Sequence, residues 1–125
     1  MKETGWGRAL GIGRRLAEAD DNQAVVNVDL QVEVLSGKQP ALVRVRGELD
    51  VDSSPTLIVA LLPLHDQCVE LDLAPVAFMD STGVRTLLAC KEASSQTGGT
   101  LRVIDCSTPV GQVLDLIGCR EQLTR

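Results

Sequence analysis

The stretch VELDLAPVAFMDSTGVR, residues 69–85, passes from the pattern of a buried strand to the start of a helix. Apolar residues alternate with acidic ones in its first part, which predicts a strand with one buried face. Apolar residues then return at helical spacing, and the predicted helix runs from about Thr82 to about Gln96, just before Gly98-Gly99. The polar residues DSTG, 80–83, stand between these two elements, so their role bears directly on function.

The order of strand and then helix recurs along the chain. Alternating apolar and polar residues predict further strands near residues 28–34, 43–45 and 101–104. Ser54-Pro55 and Thr108-Pro109 each place a hydroxyl cap before a proline, which predicts two more helices. The resulting order is β-β-α-β-α-β-α. Because crossovers join parallel strands, we expect an α/β fold with a mixed sheet of about four to five strands, antiparallel at its start and then parallel, covered by helices.

Residues 1–27 differ in composition from the rest of the chain. Glycines stand at positions 5, 7, 11 and 13, and a polar run follows at residues 18–23. We expect these residues to form a flexible N-terminal extension with a short helix near Arg14–Ala19. A single domain at residues 28–125 follows it.

Composition narrows the classes of function. The chain has 125 residues, of which 44% are hydrophobic, and this suits one domain with its own core. The net charge of −5 argues against direct binding to nucleic acid or to an anionic membrane, since both need clustered basic residues. No apolar run approaches the roughly 18 residues of a membrane span. The N-terminus lacks the apolar segment of a signal peptide, so we expect a cytoplasmic protein.

Cysteine and histidine usage argues against a metal site or a cofactor. Cys68, Cys90, Cys106 and Cys119 are widely separated, no CxxC pair occurs, and His65 is the only histidine. We therefore expect neither a metal ion nor a cofactor. The first three cysteines lie beside apolar runs, so we expect them to be small buried hydrophobic residues in a reducing compartment.

Residues 80–83 allow several interpretations. Asp80 or Ser81 can cap the helix by accepting hydrogen bonds from its free N–H groups. Ser81 can act as a nucleophile, but this needs a base, for which His65 is the only histidine. The elbow pattern GxSxG is absent because Met79 stands at its first glycine. The helix start can bind a phosphate group, although the Walker lysine is missing and the carboxylate of Asp80 repels anions.

A further interpretation is that Ser81 is itself phosphorylated. A serine between a strand and a helix lies at the carboxyl edge of the sheet, where a partner can reach it. Phosphorylation adds about −1.5 to −2 charges beside Asp80. The helix N-terminus tolerates that charge, whereas a partner packed on the same surface does not, so the modification acts on binding rather than on folding. The residues alone leave these interpretations open.

Three segments match a known pattern in order and at consistent spacing: residues 45–57 (VRGELDVDSSPTL), residues 69–83 and residues 101–118. The first resembles the GELD segment and first helix of the STAS domain family. The second resembles the third strand and phosphorylation loop of that family, and the third its last strand and the helix that follows. Within the family, the chain resembles the bacterial anti-sigma factor antagonists, over about residues 28–120.

The resemblance implies a switch protein that is not an enzyme. Unphosphorylated antagonists of this kind bind an anti-sigma factor that is also a serine kinase, and this frees a sigma factor. The kinase phosphorylates the antagonist and releases it, and a phosphatase resets it. By position, Ser81 matches the phosphate acceptor, while Asp50, Asp80, Thr82 and Gly83 match the residues around it at the partner surface.

The alternative function is a STAS-type scaffold or ligand-binding signalling module that is not controlled by Ser81 phosphorylation. Two local expectations accompany these functions. The hydroxyls of Ser53 and Ser54 are interpreted as helix caps. The hydrophobic helix Val110–Ile117 is expected to be partly exposed, because the chain ends soon after Gly118, and so to favour weak self-association.

Overall fold

The computed structural model describes residues 14–19, 22–26, 28–36 and 38–125. In these ranges the chain forms seven strands and four α-helices: β1 (Arg14–Ala19), β2 (Asn22–Val26), β3 (Leu30–Ser36), β4 (Ala41–Leu49), α1 (Ser54–Leu61), β5 (Cys68–Leu73), β6 (Val76–Met79), α2 (Ser81–Gln96), β7 (Thr100–Cys106), α3 (Thr108–Ile117) and α4 (Arg120–Thr124). A short 3₁₀ turn, Leu62–Leu64, follows α1.

The strands form one mixed sheet in the order β1-β2-β3-β4-β5-β7. Neighbouring strands from β1 to β4 are antiparallel, whereas β5 and β7 continue the sheet in parallel. Strand β4 is shared, because residues 41–44 pair with β5 and residues 47–49 pair with β6. Strand β6 therefore continues the line of β5 and brings the chain to the carboxyl end of β4 before α2 begins.

One face of the sheet is buried under the helices. Inward-facing residues alternate with outward-facing ones along β4 and β5, as a strand with one buried face requires. Helix α1 packs against β2, β3 and α2, while α2 packs against β6 and β7. The largest fully buried side chains in the described residues are aliphatic, and removing them from water is the main stabilising contribution. The leucines among them are Leu30, Leu49, Leu57, Leu71, Leu73, Leu87, Leu114 and Leu123.

The ends of helices α2 and α3, and the start of α3, lie close to the positions that the sequence predicts. Helix α2 ends at Gln96, and α3 ends before Gly118, which takes a positive φ of 85° that favours glycine. The N-cap of α3 is Ser107 rather than Thr108, since the Ser107 hydroxyl accepts a hydrogen bond from the Val110 N–H at 3.4 Å. Within α3, Leu116 and Ile117 are exposed, while the expected weak self-association stays a prediction.

The α/β class and the mixed sheet agree with the prediction, but the sheet is larger. The short helix predicted at Arg14–Ala19 is wrong, because these residues form β1 and pair with β2, which itself pairs with β3. Both strands precede the predicted boundary at residue 28, and they belong to the same sheet as the rest. That boundary stays a prediction, and residues 1–13 of the predicted extension lie outside the described residues.

The cysteines differ in their surroundings. Cys90 and Cys119 are buried and Cys106 is half-buried, but Cys68 is exposed, so its prediction as a buried residue is wrong. Cys68 begins β5, one position before the inward-facing Val69, and therefore points away from the core. Within the described part of the chain, no helix has the length and apolar character needed to cross a membrane.

Candidate functional site

The predicted site forms where β4 and β6 end side by side. Leu49 is the register partner of Met79, and the Asp80 N–H donates to the Leu49 carbonyl at 3.3 Å. The chain leaves the sheet at both points, so the loop after β4 and the start of α2 are neighbours. The split pairing of β4 thus brings Asp50 and Asp80, separated by thirty positions in sequence, to one edge.

Asp80 caps α2, as predicted. Its backbone is extended, and its Oδ1 accepts a hydrogen bond from the Gly83 N–H at 3.0 Å. Its carbonyl accepts from the Val84 N–H at 3.2 Å. The side chain therefore satisfies one of the free N–H groups of the first helical turn. This gives Asp80 a structural role whatever else it does.

Gly83 allows α2 to approach the end of β4 closely. A Cβ at this position would lie 2.7 Å from the Leu49 carbonyl oxygen and 2.6 Å from Cγ of Met79. Neither distance is compatible with normal van der Waals contact, and the Leu49 oxygen is backbone and cannot rotate away. Gly83 therefore fixes where the helix sits on the sheet, and with it the position of Ser81.

Ser81 is the first residue of α2 and its side chain is exposed. Its hydroxyl has no hydrogen-bond partner among the described residues, in contrast to the carboxylate of Asp80 beside it. Thr82, the next residue, is half-buried. Of the two adjacent hydroxyl residues, Ser81 is the one that a second protein reaches more easily.

Asp50 organises the loop between β4 and α1. Its Oδ1 accepts hydrogen bonds from the N–H groups of Asp52, at 3.0 Å, and Ser53, at 3.1 Å. The Ser53 hydroxyl donates to the Glu48 carbonyl at 2.6 Å and accepts from the Asp50 N–H at 3.0 Å. These bonds cross-link the loop and hold it against the end of β4.

The interpretation of Ser53 and Ser54 as side-chain caps is wrong. Ser53 occupies the N-cap position of α1, but its hydroxyl bonds back to the loop and not to the helix. Ser54 is the first helical residue, and its hydroxyl is buried without a partner in the described residues. The Ser53 hydroxyl is hydrogen-bonded within the loop in front of α1, so it does not cap the helix.

Two exposed apolar side chains flank the site, and sequence analysis missed both. Phe78 lies in β6, three residues before Ser81, and is 48% exposed; Val51 follows Asp50 and is 63% exposed. In β6 only Val76 and Met79 are buried, and the two residues between them face solvent, a pattern that the sequence does not reveal. Glu48, the register partner of Phe78, and Asp52, the residue after Val51, are also exposed, so this edge carries both apolar and acidic side chains.

The structure excludes a catalytic pair of Ser81 and His65. The Thr97 hydroxyl donates to the His65 carbonyl at 2.9 Å, and Thr97 directly follows α2. Ser81 stands at the other end of this 16-residue helix, a rise of roughly 24 Å. Within the described residues, no group of His, Cys, Asp or Glu is arranged to hold a metal ion.

Cys90 is also unsuited to nucleophilic chemistry. It lies on the buried face of α2, and burial raises the pKa of its thiol to about 11. A thiol with this pKa is protonated at neutral pH, and it is the thiolate that attacks. Cys90 therefore acts as a small core residue, as predicted.

Comparisons with known proteins agree with this fold. The family model described as "Mlab, STAS domain" matches residues 32–124. The anti-sigma-B factor antagonist of Staphylococcus epidermidis is 31% identical over 99 residues, which cover 75% of this chain and 90% of that protein. The anti-sigma F factor antagonist of Paenibacillus polymyxa is 32% identical over 95 residues, covering 73% of this chain and 81% of that protein.

A solved structure resembles the chain as well. The crystal structure of an anti-sigma factor antagonist from Mycobacterium paratuberculosis superposes with a TM-score of 0.65, at 23% identity, over 75% of this chain and 82% of that one. At this identity the likeness supports the fold. The family match and the relatives together place the chain in the STAS domain family. It is accordingly a regulatory binding protein and not an enzyme.

Proposed function

We propose that this chain is an anti-sigma factor antagonist of the cytoplasm whose binding is controlled by phosphorylation of Ser81. Unphosphorylated, it binds an anti-sigma factor that is also a serine kinase, and this frees a sigma factor. The observation that carries the proposal is the exposed Ser81 hydroxyl, which has no partner among the described residues although it lies in an otherwise hydrogen-bonded edge. The names of the relatives support the general role.

The switching step is a phosphoryl transfer. The Ser81 oxygen forms a bond to the γ-phosphorus of ATP, the bond to the β,γ-bridging oxygen breaks, ADP leaves, and the hydroxyl proton is lost. A phosphatase then hydrolyses the phosphate ester, which returns the hydroxyl and inorganic phosphate. The modification adds about −1.5 to −2 charges at a position that is already next to Asp80.

The surroundings of Ser81 favour an effect on binding over an effect on folding. The first turn of a helix tolerates negative charge, and an exposed phosphate stays hydrated. A partner that covers the edge would instead have to desolvate the phosphate, which costs several kcal/mol for an unpaired charge. In this proposal Phe78 and Val51 supply the apolar contact, while Asp50, Asp80, Thr82 and Gly83 hold the loop and helix in the geometry that the partner recognises.

The test is a capture experiment from host extract with four baits: wild type, Ser81→Ala, Ser81→Asp and Gln96→Glu. The last variant adds one charge at the exposed, opposite end of the same helix and controls for charge alone. Wild type, Ser81→Ala and Gln96→Glu are expected to retain an ATP-binding kinase, identified by mass spectrometry, and Ser81→Asp to lose it. The recovered kinase and ATP should then add one phosphate to wild type and none to Ser81→Ala.

Two results would contradict the proposal. Equal capture of one partner by wild type and Ser81→Asp would favour a STAS-type scaffold that ignores this serine. Phosphate on intact Ser81→Ala would show that Ser81 is not the only acceptor. Circular dichroism of Ser81→Asp checks that a loss of capture does not come from unfolding.

A further inference from the structure

We infer that Arg85 is the partner, within this chain, of a phosphate on Ser81. This inference rests on the proposed function, since it concerns the regulation of the same serine. In it, the guanidinium of Arg85 donates hydrogen bonds to the phosphate oxygens across one turn of α2. Phosphorylation then alters two surface positions, because it adds an anion at residue 81 and pairs the cation at residue 85 with it.

The geometry of α2 carries the pairing. Ser81 and Arg85 are separated by four positions in one continuous helix, and both are exposed. Residues at this spacing lie on one helix face, with Cβ atoms about 5–6 Å apart. Long side chains in a helix lean back over the preceding turn, so a guanidinium at position 85 can reach the side chain at position 81. The acidic group then stands N-terminal to the basic one, which is the more favourable order.

Arg85 has no competing partner on its own helix. The positions three and four residues away on either side hold Ser81, Thr82, Leu88 and Ala89, none of which is charged. Among the described residues, Arg85 takes part in no ion pair within 4 Å, whereas other arginines of the chain, Arg44, Arg102 and Arg120, do. A phosphate on Ser81 would be the first anion at helical pairing distance.

The second ionisation of a phosphate on Ser81 depends on the charges around it, so its pKa can report the pairing with Arg85. Asp80 adjoins Ser81 in sequence, and Asp50 lies on the neighbouring loop. Both disfavour the dianionic form of a phosphate, whereas a guanidinium favours it. Arginine binds phosphate through two parallel N–H groups, which makes the pair stronger than one between simple point charges.

The test uses protein with phosphoserine installed at position 81 during synthesis, so that no kinase is needed. The second ionisation of the phosphate is followed by ³¹P NMR against pH, at low salt, in wild type, Arg85→Gln and Arg46→Gln. Arg46 is an exposed arginine on β4, so its variant removes the same charge without touching α2. Wild type and Arg46→Gln are expected to have the same phosphate pKa. That of Arg85→Gln should be higher by about 0.3 unit or more, a twofold change in the proton-binding constant.

The outcomes separate this inference from the proposed function. Equal phosphate pKa values in wild type and Arg85→Gln would remove the Ser81–Arg85 pair, whatever the capture experiment shows. A higher value in Arg85→Gln that also disappears with added salt supports the pair, because screening weakens exposed charge interactions. Equal shifts in Arg85→Gln and Arg46→Gln would reduce the effect to net charge and overturn the inference. Capture that ignores Ser81 would reject the proposed function without changing the titration.

Discussion

Two helix starts at the same sheet edge use similar residues in opposite ways. Before α1, the chain runs Asp50 to Ser54, and before α2 it runs Asp80 to Gly83, so each has an acid followed by hydroxyl residues. At α1 the acid binds its own loop and the hydroxyls of Ser53 and Ser54 are buried. At α2 the acid caps the helix and the hydroxyl of Ser81 is exposed. The two helix starts therefore differ in the burial of their serines and not in local composition.

The largest expected effect comes from Leu49, which supports both helix starts. Its side chain is fully buried, its carbonyl accepts from the Asp80 N–H, and its atoms lie against Gly83. Leu49→Ala should lower the free energy of unfolding by about 2–5 kcal/mol, through lost burial and a cavity. Urea denaturation measures this. Leu116→Ala, at a side chain that is 88% exposed, is the matched control, and equal effects of the two would show that Leu49 is not a core residue.

The next prediction compares the loss of stability on removing the Ser53 hydroxyl with that on removing the Ser81 hydroxyl. Ser53→Ala removes a hydroxyl that donates to the Glu48 carbonyl and accepts from the Asp50 N–H, and it leaves both without that partner. We expect it to destabilise the protein by about 1–3 kcal/mol. Ser81→Ala should stay within about 0.5 kcal/mol of wild type, because its hydroxyl is exposed. Thermal unfolding of the two variants measures this difference. If Ser81→Ala were less stable than Ser53→Ala, the assignment of Ser53 as the structural serine would be wrong.

Removal of the α2 cap should have a smaller effect. Asp80→Ala loses the hydrogen bond from the Gly83 N–H, which typically costs about 1 kcal/mol. Asp80→Asn keeps a capping oxygen and should lie close to wild type, since asparagine caps as well as aspartate does. If the two variants were equally unstable in urea, the charge of Asp80 and not its cap would be the stabilising feature.

The smallest expected change in the free energy of unfolding concerns Ser54, and here the sign of the change is the test. Its hydroxyl is buried without a partner in the described residues, so it pays for desolvation and gains no bond in return. Ser54→Ala should leave the free energy of unfolding unchanged or raise it by less than about 1 kcal/mol. A clear loss of stability, as large as that of Ser53→Ala, would mean that this hydroxyl is hydrogen-bonded in solution.

Much of the fold follows from local patterns. Alternation identifies β3, β4, β5 and β7, because each has one buried face, and proline and glycine locate the helix ends. Strands β1 and β2 escaped detection because glycines and a polar run in residues 1–27 suggested flexibility. Their place in the sheet depends on pairing with β3, a long-range contact that composition does not express.

The sequence likewise predicts part of the candidate site and misses the rest. Its members were identified from sequence, and the cap role of Asp80 follows from its position before a helix. The exposure of Phe78 and Val51 was not predictable, since it depends on how β6 is seated against β4. The network around Ser53 was also missed, because several side-chain acceptors compete for the same groups and only the folded loop decides among them.

The shared strand β4 has a consequence for hydrogen exchange. It has neighbours on both sides, β3 on one and β5 followed by β6 on the other. Amides in such a strand are released to solvent only when the sheet opens, so those of Val43 and Val45 are expected to exchange among the slowest. Ser81 is thus attached within two residues of the end of β6, a strand hydrogen-bonded to this rigid element. In the proposed function, a partner would therefore meet a surface that is already in place.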